Sequence, residues 1–242
     1  MRPRDASSNP FDKFGQAAPR RFEDRRDAGR ALAARLAVAA DWTDPLVLAL
    51  PRGGVPVAYE VAQALDAPLD VFLVRKLGVP GHEELAMGAI ATGGVRVLNE
   101  DVVDMLHIPD HIIDRVAAEE SAELERRAKA YRGDRPPLDV RGRDAILVDD
   151  GLATGASMRA ASAALRRMDP KRIVVAVPVA SPETCEEFRR EVDDIVCAIT
   201  PPHMRAVGLW YDDFSQTTDD EVRTLLAQSE HRNTTTPARR AA

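Results

Sequence analysis

Only two of the 242 residues are cysteine, Cys185 and Cys197. They do not form a CxxC pair, and no histidine stands near them at ligand spacing, so neither a disulfide framework nor a zinc site is encoded. Both lie among apolar neighbours and are expected as buried, reduced thiols, which suits a reducing cytoplasm. Long apolar runs are also missing. Nothing approaches the ~20 residues that span a bilayer, and no apolar segment follows the N-terminal charges as a secretory signal requires. A cytoplasmic protein with no membrane partner is therefore expected. Positive charge is not in excess either. The formal net charge is -6, so no global basic field attracts a phosphate backbone, and no nucleic-acid partner is expected; a local cationic cleft is still compatible. Internal repeats are absent. No G-x-G-x-x-G follows the first apolar run, which argues against a dinucleotide-dependent oxidoreductase.

The composition is that of a globular chain, 45% hydrophobic and 30% charged, and the length suits one α/β domain with extra segments. Residues 1–20 and the stretch from 230 to 242 lack periodicity and read as disordered tails, leaving 21–229 as the folded domain. A helix is expected from near Arg21. Short apolar strands are expected at Leu46–Leu50, Leu69–Val74, Val95–Leu98, Ala145–Val148, Arg172–Val177 and Ile195–Ile199. Helices are expected at Val55–Leu65, Pro109–Tyr131, Gly155–Met168, Pro182–Glu191 and Asp219–Gln228, and Arg75–Gly94 reads as a long loop or loose hairpin. Alternation of short buried strands with helices means a mainly parallel sheet flanked by helices on both faces. Ligands in such sheets bind at the carboxyl ends of the strands. The loops of interest are those after Leu50, Val74 and Val148.

The loop after Val148 is the most informative. Asp149 and Asp150 end a buried strand, Gly151–Ala156 form a small-residue turn, and Ser157 opens a helix. Free amides at a helix N-terminus favour a phosphate. Glycine lets the backbone approach it closely, and Thr154 and Ser157 can donate hydroxyls to it. Two adjacent carboxylates repel phosphate, so they need another purpose; they suit sugar hydroxyls, accepted directly or through a metal. A helix cap accounts for one aspartate but not for two.

The run Ile146–Met158 (ILVDDGLATGASM) resembles the phosphoribosyl pyrophosphate signature of the type I phosphoribosyltransferases. The resemblance implies that Asp149 and Asp150 bind the ribose hydroxyls, with Mg²⁺ between ribose and pyrophosphate and held by the two acids indirectly. It implies that Ala153, Thr154, Gly155, Ala156 and Ser157 cradle the 5-phosphate. Ser157 replaces a frequent threonine. In 6-oxopurine transferases an acid usually occupies the position of Ala153, whereas adenine and orotate transferases have alanine there, so the departure lowers the odds for hypoxanthine or guanine. The chain also resembles a narrower bacterial group sharing VRKLGxPGHxELAMGAI and a C-terminal motif like Trp210–Glu221. Together these resemblances cover roughly residues 21–228 without specifying the acceptor.

Two further loops fit this frame. Pro51–Gly54 (PRGG) offers amides from Gly53 and Gly54 and the guanidinium fork of Arg52. It resembles the family's pyrophosphate loop, which often contains a non-proline cis peptide, so one is expected at or beside Arg52. Arg75 and Lys76 end the second strand; they are either a solvated strand end or further pyrophosphate contacts. Leu77–Thr92 occupies the place of the family's flexible loop, which closes over the reaction and excludes water. His82, Glu83 and Glu84 are its titratable groups. Glu83 or Glu84 is a candidate for moving the acceptor's proton, with exposed loop residues as the plain alternative. A base-binding hood is expected over about 200–216. There Trp210 and Tyr211, beside Phe214, either stack on a base or pack the terminal helix.

The activity implied is transfer of a 5-phosphoribosyl group to a nucleobase-like or other nitrogen acceptor with release of pyrophosphate, carried out by a homodimer. Arg52 would stabilise the leaving group. A non-catalytic sensor of phosphoribosyl pyrophosphate is the alternative. Such regulators usually carry a nucleic-acid-binding surface, and no helix-turn-helix is recognisable here.

Overall fold

The computed structural model describes residues 21–39, 41–137 and 139–235. The expected N-terminal tail, and the part of the C-terminal one beyond Thr235, lie outside these. The element order is α1 (Arg25–Ala39), β1 (Pro45–Ala49), α2 (Gly54–Leu65), β2 (Leu69–Val71), β3 (Val74–Val79), β4 (His82–Ala91), β5 (Val95–Leu98), α3 (Glu100–Leu106), α4 (Asp110–Arg132), β6 (Asp144–Val148), α5 (Ala156–Arg166), β7 (Arg172–Val179), α6 (Pro182–Glu191), β8 (Asp194–Ile199) and α7 (Asp219–Thr235). Short 3₁₀ turns lie at Thr92–Gly94 and Val207–Trp210.

Five strands form a parallel sheet in the order β2-β1-β6-β7-β8. Alternate residues of each strand enter two separate cores. Val47, Ala49, Ile146, Val148, Val174 and Ala176 face α1, α2 and α7. Leu46, Leu48, Ala145, Leu147, Ile173 and Val175 face α5 and α6, whose Met158, Leu165 and Phe188 fill the other side. Burial on both faces is why these strands read as continuous apolar runs rather than as alternating ones. The chain moves from β1 outward to β2, and later from β6 outward the opposite way to β7. The crevice between β1 and β6 is thus the switch point of the sheet, where open α/β folds bind ligands.

Two expectations need correction. The apolar run Leu69–Val74 is not one strand. It breaks at Phe72 and Leu73, where the chain leaves the main sheet and starts a separate antiparallel sheet, β3-β4-β5. Both residues at the break are buried, so hydrophobicity does not mark it. Of the two readings of Arg75–Gly94, a long loop or a loose hairpin, the structure takes the hairpin, with a register shift around Gly78. At the C-terminal end α7 runs past Gln228 to Thr235. Helix α3 has no counterpart in the expected elements, because with only Val102 buried it shows almost no apolar stripe.

A buried ion pair joins the ends of two elements at the sheet edge. Arg132, at the end of α4, donates to Asp70 of β2 at 2.7 Å and to the carbonyl of Val71 at 2.6 Å. With its partner satisfied and hydrogen-bonded, such a pair fixes the geometry of α4 against the sheet.

Candidate active site

Two of the three loops singled out in the sequence, those after Leu50 and Val148, leave the sheet side by side. Ala49 pairs with Val148 in register, and the amide of Leu50 donates to the carbonyl of Val148 at 2.8 Å. The peptide Pro51–Arg52 is cis and non-proline, as expected for this loop. Gly53 then passes against Asp150 so closely that a Cβ at this position would fall inside contact distance of the Asp150 carboxylate. The backbone of Gly53 is in the ordinary helical region (φ -59°, ψ -32°), so glycine is needed here for space and not for conformation.

Asp149 and Asp150 lie half-buried at the carboxyl end of β6. Asp149 turns its Oδ1 to accept from the amide of Asp150 at 2.8 Å. Burial, and then the charge of Asp150, push the Asp149 carboxyl well above the usual carboxylate range. Burial also raises Asp150, opposed by the hydrogen bond and charge of Arg25. A pair held in this way favours cations or hydroxyl donors.

The loop beyond the acids is pinned at several points. The amide of Leu152 donates to Val179 at 2.9 Å. Thr184 donates from Oγ1 to the carbonyl of Ala153 at 3.3 Å. Arg159, one turn into α5, donates to the carbonyl of Thr154 at 2.6 Å, and its guanidinium is fixed by Glu187 and Glu191 and lies over the ring of Phe188. Gly155 has φ 71°, and a Cβ there would meet Phe188 at 2.5 Å. Both the backbone sign and the aromatic floor therefore require glycine. Ala153, Thr154, Ala156 and Ser157 remain exposed at the start of α5, with hydroxyls and first-turn amides open to an anion.

The first described residues and the segment 210–215 form a strap over Asp150. The amide of Phe22 donates to Trp210 at 2.9 Å, and that of Asp212 donates back to Phe22 at 2.8 Å. Arg25 Nε lies 2.9 Å from Asp150 Oδ2, and the same guanidinium donates to the carbonyl of Ser215 and sits 4.0 Å above the ring of Phe214. Tyr211 donates its hydroxyl to the carbonyl of Asp150 at 2.5 Å.

Of the residues expected to act, the structure sets Gly53 and Gly54 against Asp150 and Asp149, which lead into the loop Ala153–Ser157, while the Arg52 side chain stands 3.7 Å from Asp219. Arg75 and Lys76 lie on β3 with carboxylate partners of their own, Glu120 at 2.5 Å and Glu84 at 3.8 Å. Glu83 and Glu84 are exposed near the tip of the β3–β4 hairpin, and backbone amides hold Glu83 below its usual range, which weakens it as a base. Of the two alternatives for the hood aromatics, Tyr211 takes the packing one. It is 1% exposed with Phe22 and Phe214 against its ring, so no face is open to a base. Trp210 is half-buried against the core.

Arg25, Arg159 and the hydroxyl of Tyr211 were not singled out by sequence. Arg25 stands in a run dense with arginine and acid, where spacing favours no single residue. Arg159 does carry a usable signal, a cation one turn after the glycine of a phosphate-type loop.

A doubly wound sheet with a glycine turn, an acidic pair and a helix N-terminus meeting at its switch point is the type I phosphoribosyltransferase architecture. The chain belongs to that family: the model of the phosphoribosyl transferase domain matches residues 22–207. It is 48% identical over 212 residues to a provisionally named phosphoribosyl transferase of Mycobacterium tuberculosis, covering 88% of this chain and 47% of that protein. The chain thus spans about half the length of the curated relatives it matches. It is 32% identical over 129 residues to the bifunctional protein PyrR of Chloroflexus aurantiacus, covering 52% of this chain and 65% of that one. Among solved structures it resembles the protein TT1426 from Thermus thermophilus with a TM-score of 0.77 and 45% identity, covering 86% of this chain and 98% of that one. Among the described residues no helix is long and apolar enough to cross a membrane.

Proposed function

We propose that this chain transfers the 5-phosphoribosyl group of 5-phosphoribosyl-1-pyrophosphate to a nitrogen acceptor and releases pyrophosphate. The observation that carries this is the meeting of Gly53 with Asp150, which sets a glycine-rich, Arg52-bearing turn directly against an acidic pair that opens onto a phosphate-type helix start. Sugar hydroxyls would be accepted by Asp149 and Asp150. The 5-phosphate would sit on the amides of Ala153–Ser157 with the hydroxyls of Thr154 and Ser157. Pyrophosphate would face Arg52 and the amides of Gly53 and Gly54. Arg75 and Lys76 belong to this site only if a ligand draws them from Glu120 and Glu84.

The acidic pair also fits Mg²⁺. No group of three or more acidic, histidine or cysteine side chains able to hold an ion occurs among the described residues. Asp149 and Asp150 would therefore hold the ion jointly with ligand oxygens. When bound, Mg²⁺ supplies neutralisation of charge on the leaving pyrophosphate. The protein's own part is positioning and electrostatics: two carboxylates would fix the sugar and fixed amides would hold its phosphate. On the resemblance alone, the assembly is a homodimer and the compartment the cytoplasm.

The test is a turnover assay with phosphoribosyl pyrophosphate, Mg²⁺ and a panel of nitrogenous bases, following pyrophosphate release. Acceptor-dependent release abolished by chelator is the expected result. Tight donor binding with no release on any acceptor would overturn transfer in favour of a sensor.

A further inference from the structure

Beyond Arg52 the pyrophosphate loop opens into a cavity of about 180 Å³, and Arg52 is the one lining residue that the proposed site also uses. Its walls are Arg52 after β1, Arg126, Arg127, Ala130 and Tyr131 from the last turns of α4, and Asp219 at the start of α7. Three guanidinium groups thus face one carboxylate. The two arginines of α4 are held in place from behind: Glu123 accepts from Arg126 at 2.7 Å and from Arg127 at 2.7 Å, which holds its own carboxyl down at about 2. Asp219 is positioned by the hydroxyl of Tyr131 at 2.8 Å and stands 3.7 Å from Arg52. That separation is longer than a hydrogen bond, and it leaves the Arg52 fork able to turn to another acceptor.

Pre-arranged guanidinium groups suit phosphate oxygens, because each fork offers parallel donors to a tetrahedral anion. Planar bases find no match, since the Tyr131 ring is buried and the remaining walls are charged. We propose that this cavity is a second phosphate-class site, built by Arg126 and Arg127 and continuous with the pyrophosphate loop through Arg52, with Asp219 as a built-in competitor for the anion. Two sources share this chemistry, the distal phosphate of the donor's pyrophosphate group and a separate phosphorylated ligand. The inference rests on the transferase reading above, because Arg52 is its link to the donor.

The test uses the full chain with isothermal calorimetry, with inorganic pyrophosphate and Mg²⁺ as the probe and ribose 5-phosphate as the control. Arg126→Gln/Arg127→Gln is expected to weaken pyrophosphate at least tenfold while ribose 5-phosphate affinity and Tm are kept. Arg126→Lys/Arg127→Lys should restore part of the loss. Asp219→Asn, which keeps an acceptor for Tyr131, is expected to tighten pyrophosphate severalfold, a gain that a purely structural role would not produce. If pyrophosphate is unchanged but a second equivalent of inorganic phosphate binds beside it and is lost in Arg126→Gln/Arg127→Gln, the site stands and its ligand is separate from the donor. No change with either probe overturns the site, while retained ribose 5-phosphate binding leaves the transferase reading intact. Failure of the unaltered protein to bind ribose 5-phosphate or phosphoribosyl pyrophosphate would instead sink that reading.

Discussion

Arg25 and Asp150, 125 residues apart in the chain, meet at 2.9 Å over the switch point of the sheet. The arginine side chain is 11% exposed and the aspartate 16%, so this is a shielded contact and not a surface ion pair. It bears directly on the acid that the ribose is proposed to need. Burial pushes the Asp150 carboxyl up, and the hydrogen bond and charge of Arg25 oppose that push.

Replacing Asp150 with asparagine therefore separates site from fold. Arg25 would keep its bond to Ser215 and its place over Phe214, so Tm should change little. Loss of charge-assisted bonds, each worth about 1.5–3 kcal/mol, should weaken phosphoribosyl pyrophosphate by about ten- to a hundredfold. Unchanged affinity in calorimetry would remove the acidic pair from the site.

Asp149→Asn should stabilise the protein at neutral pH. The folded carboxyl is raised by burial and by Asp150, so its contribution to stability is complete below the unfolded value of about 3.9 and is lost as pH rises through the folded one. Asparagine keeps the acceptor for the Asp150 amide without the charge. A gain of about 1 kcal/mol is expected, or about 2–4 °C in Tm for a chain of this size, together with weaker donor binding. Thermal melts at pH 7 and below pH 4 check this, since the difference between variant and parent should vanish at the acid end.

Gly53→Ala tests close approach without touching any charge. The backbone there suits alanine, so a conformational penalty is not involved. The new Cβ must displace the Asp150 carboxylate, at a cost of about 1–3 kcal/mol for overpacking. Loss of donor binding with a lowered Tm is expected; wild-type affinity would show that the two loops can separate freely.

Tyr211→Phe probes the strap. Burial pushes the Tyr211 hydroxyl up, so it serves as a donor, to the carbonyl of Asp150. Its removal should cost about 1 kcal/mol in denaturant unfolding and leave base selectivity among active acceptors unchanged. A changed acceptor preference would count against its role as packing.

The local part of this protein was legible in the chain. Ala145–Ser157 has to be a buried strand, a small-residue turn and a helix start, because four apolar residues, two acids and glycines at those places satisfy no other backbone equally well. Most strands of the main sheet and the helices on its faces could be read for the same reason: the periodicity of burial is written residue by residue. Helix α3 and the break at Phe72–Leu73 could not be read, since one barely buries a side chain and the other buries residues on both sides of a bend. Contacts between distant segments were invisible for a different reason. Nothing in the composition around Arg25 distinguishes it from Arg26 until α1 is placed against α2 and β8, and nothing in Tyr211 tells a stacking ring from a packed one until Phe22 lies beside it. The sequence alone determined what each loop is able to bind, through residue type and backbone freedom. Tertiary structure decided which of those groups share a site, because charge, burial and steric approach act between residues that only folding makes neighbours.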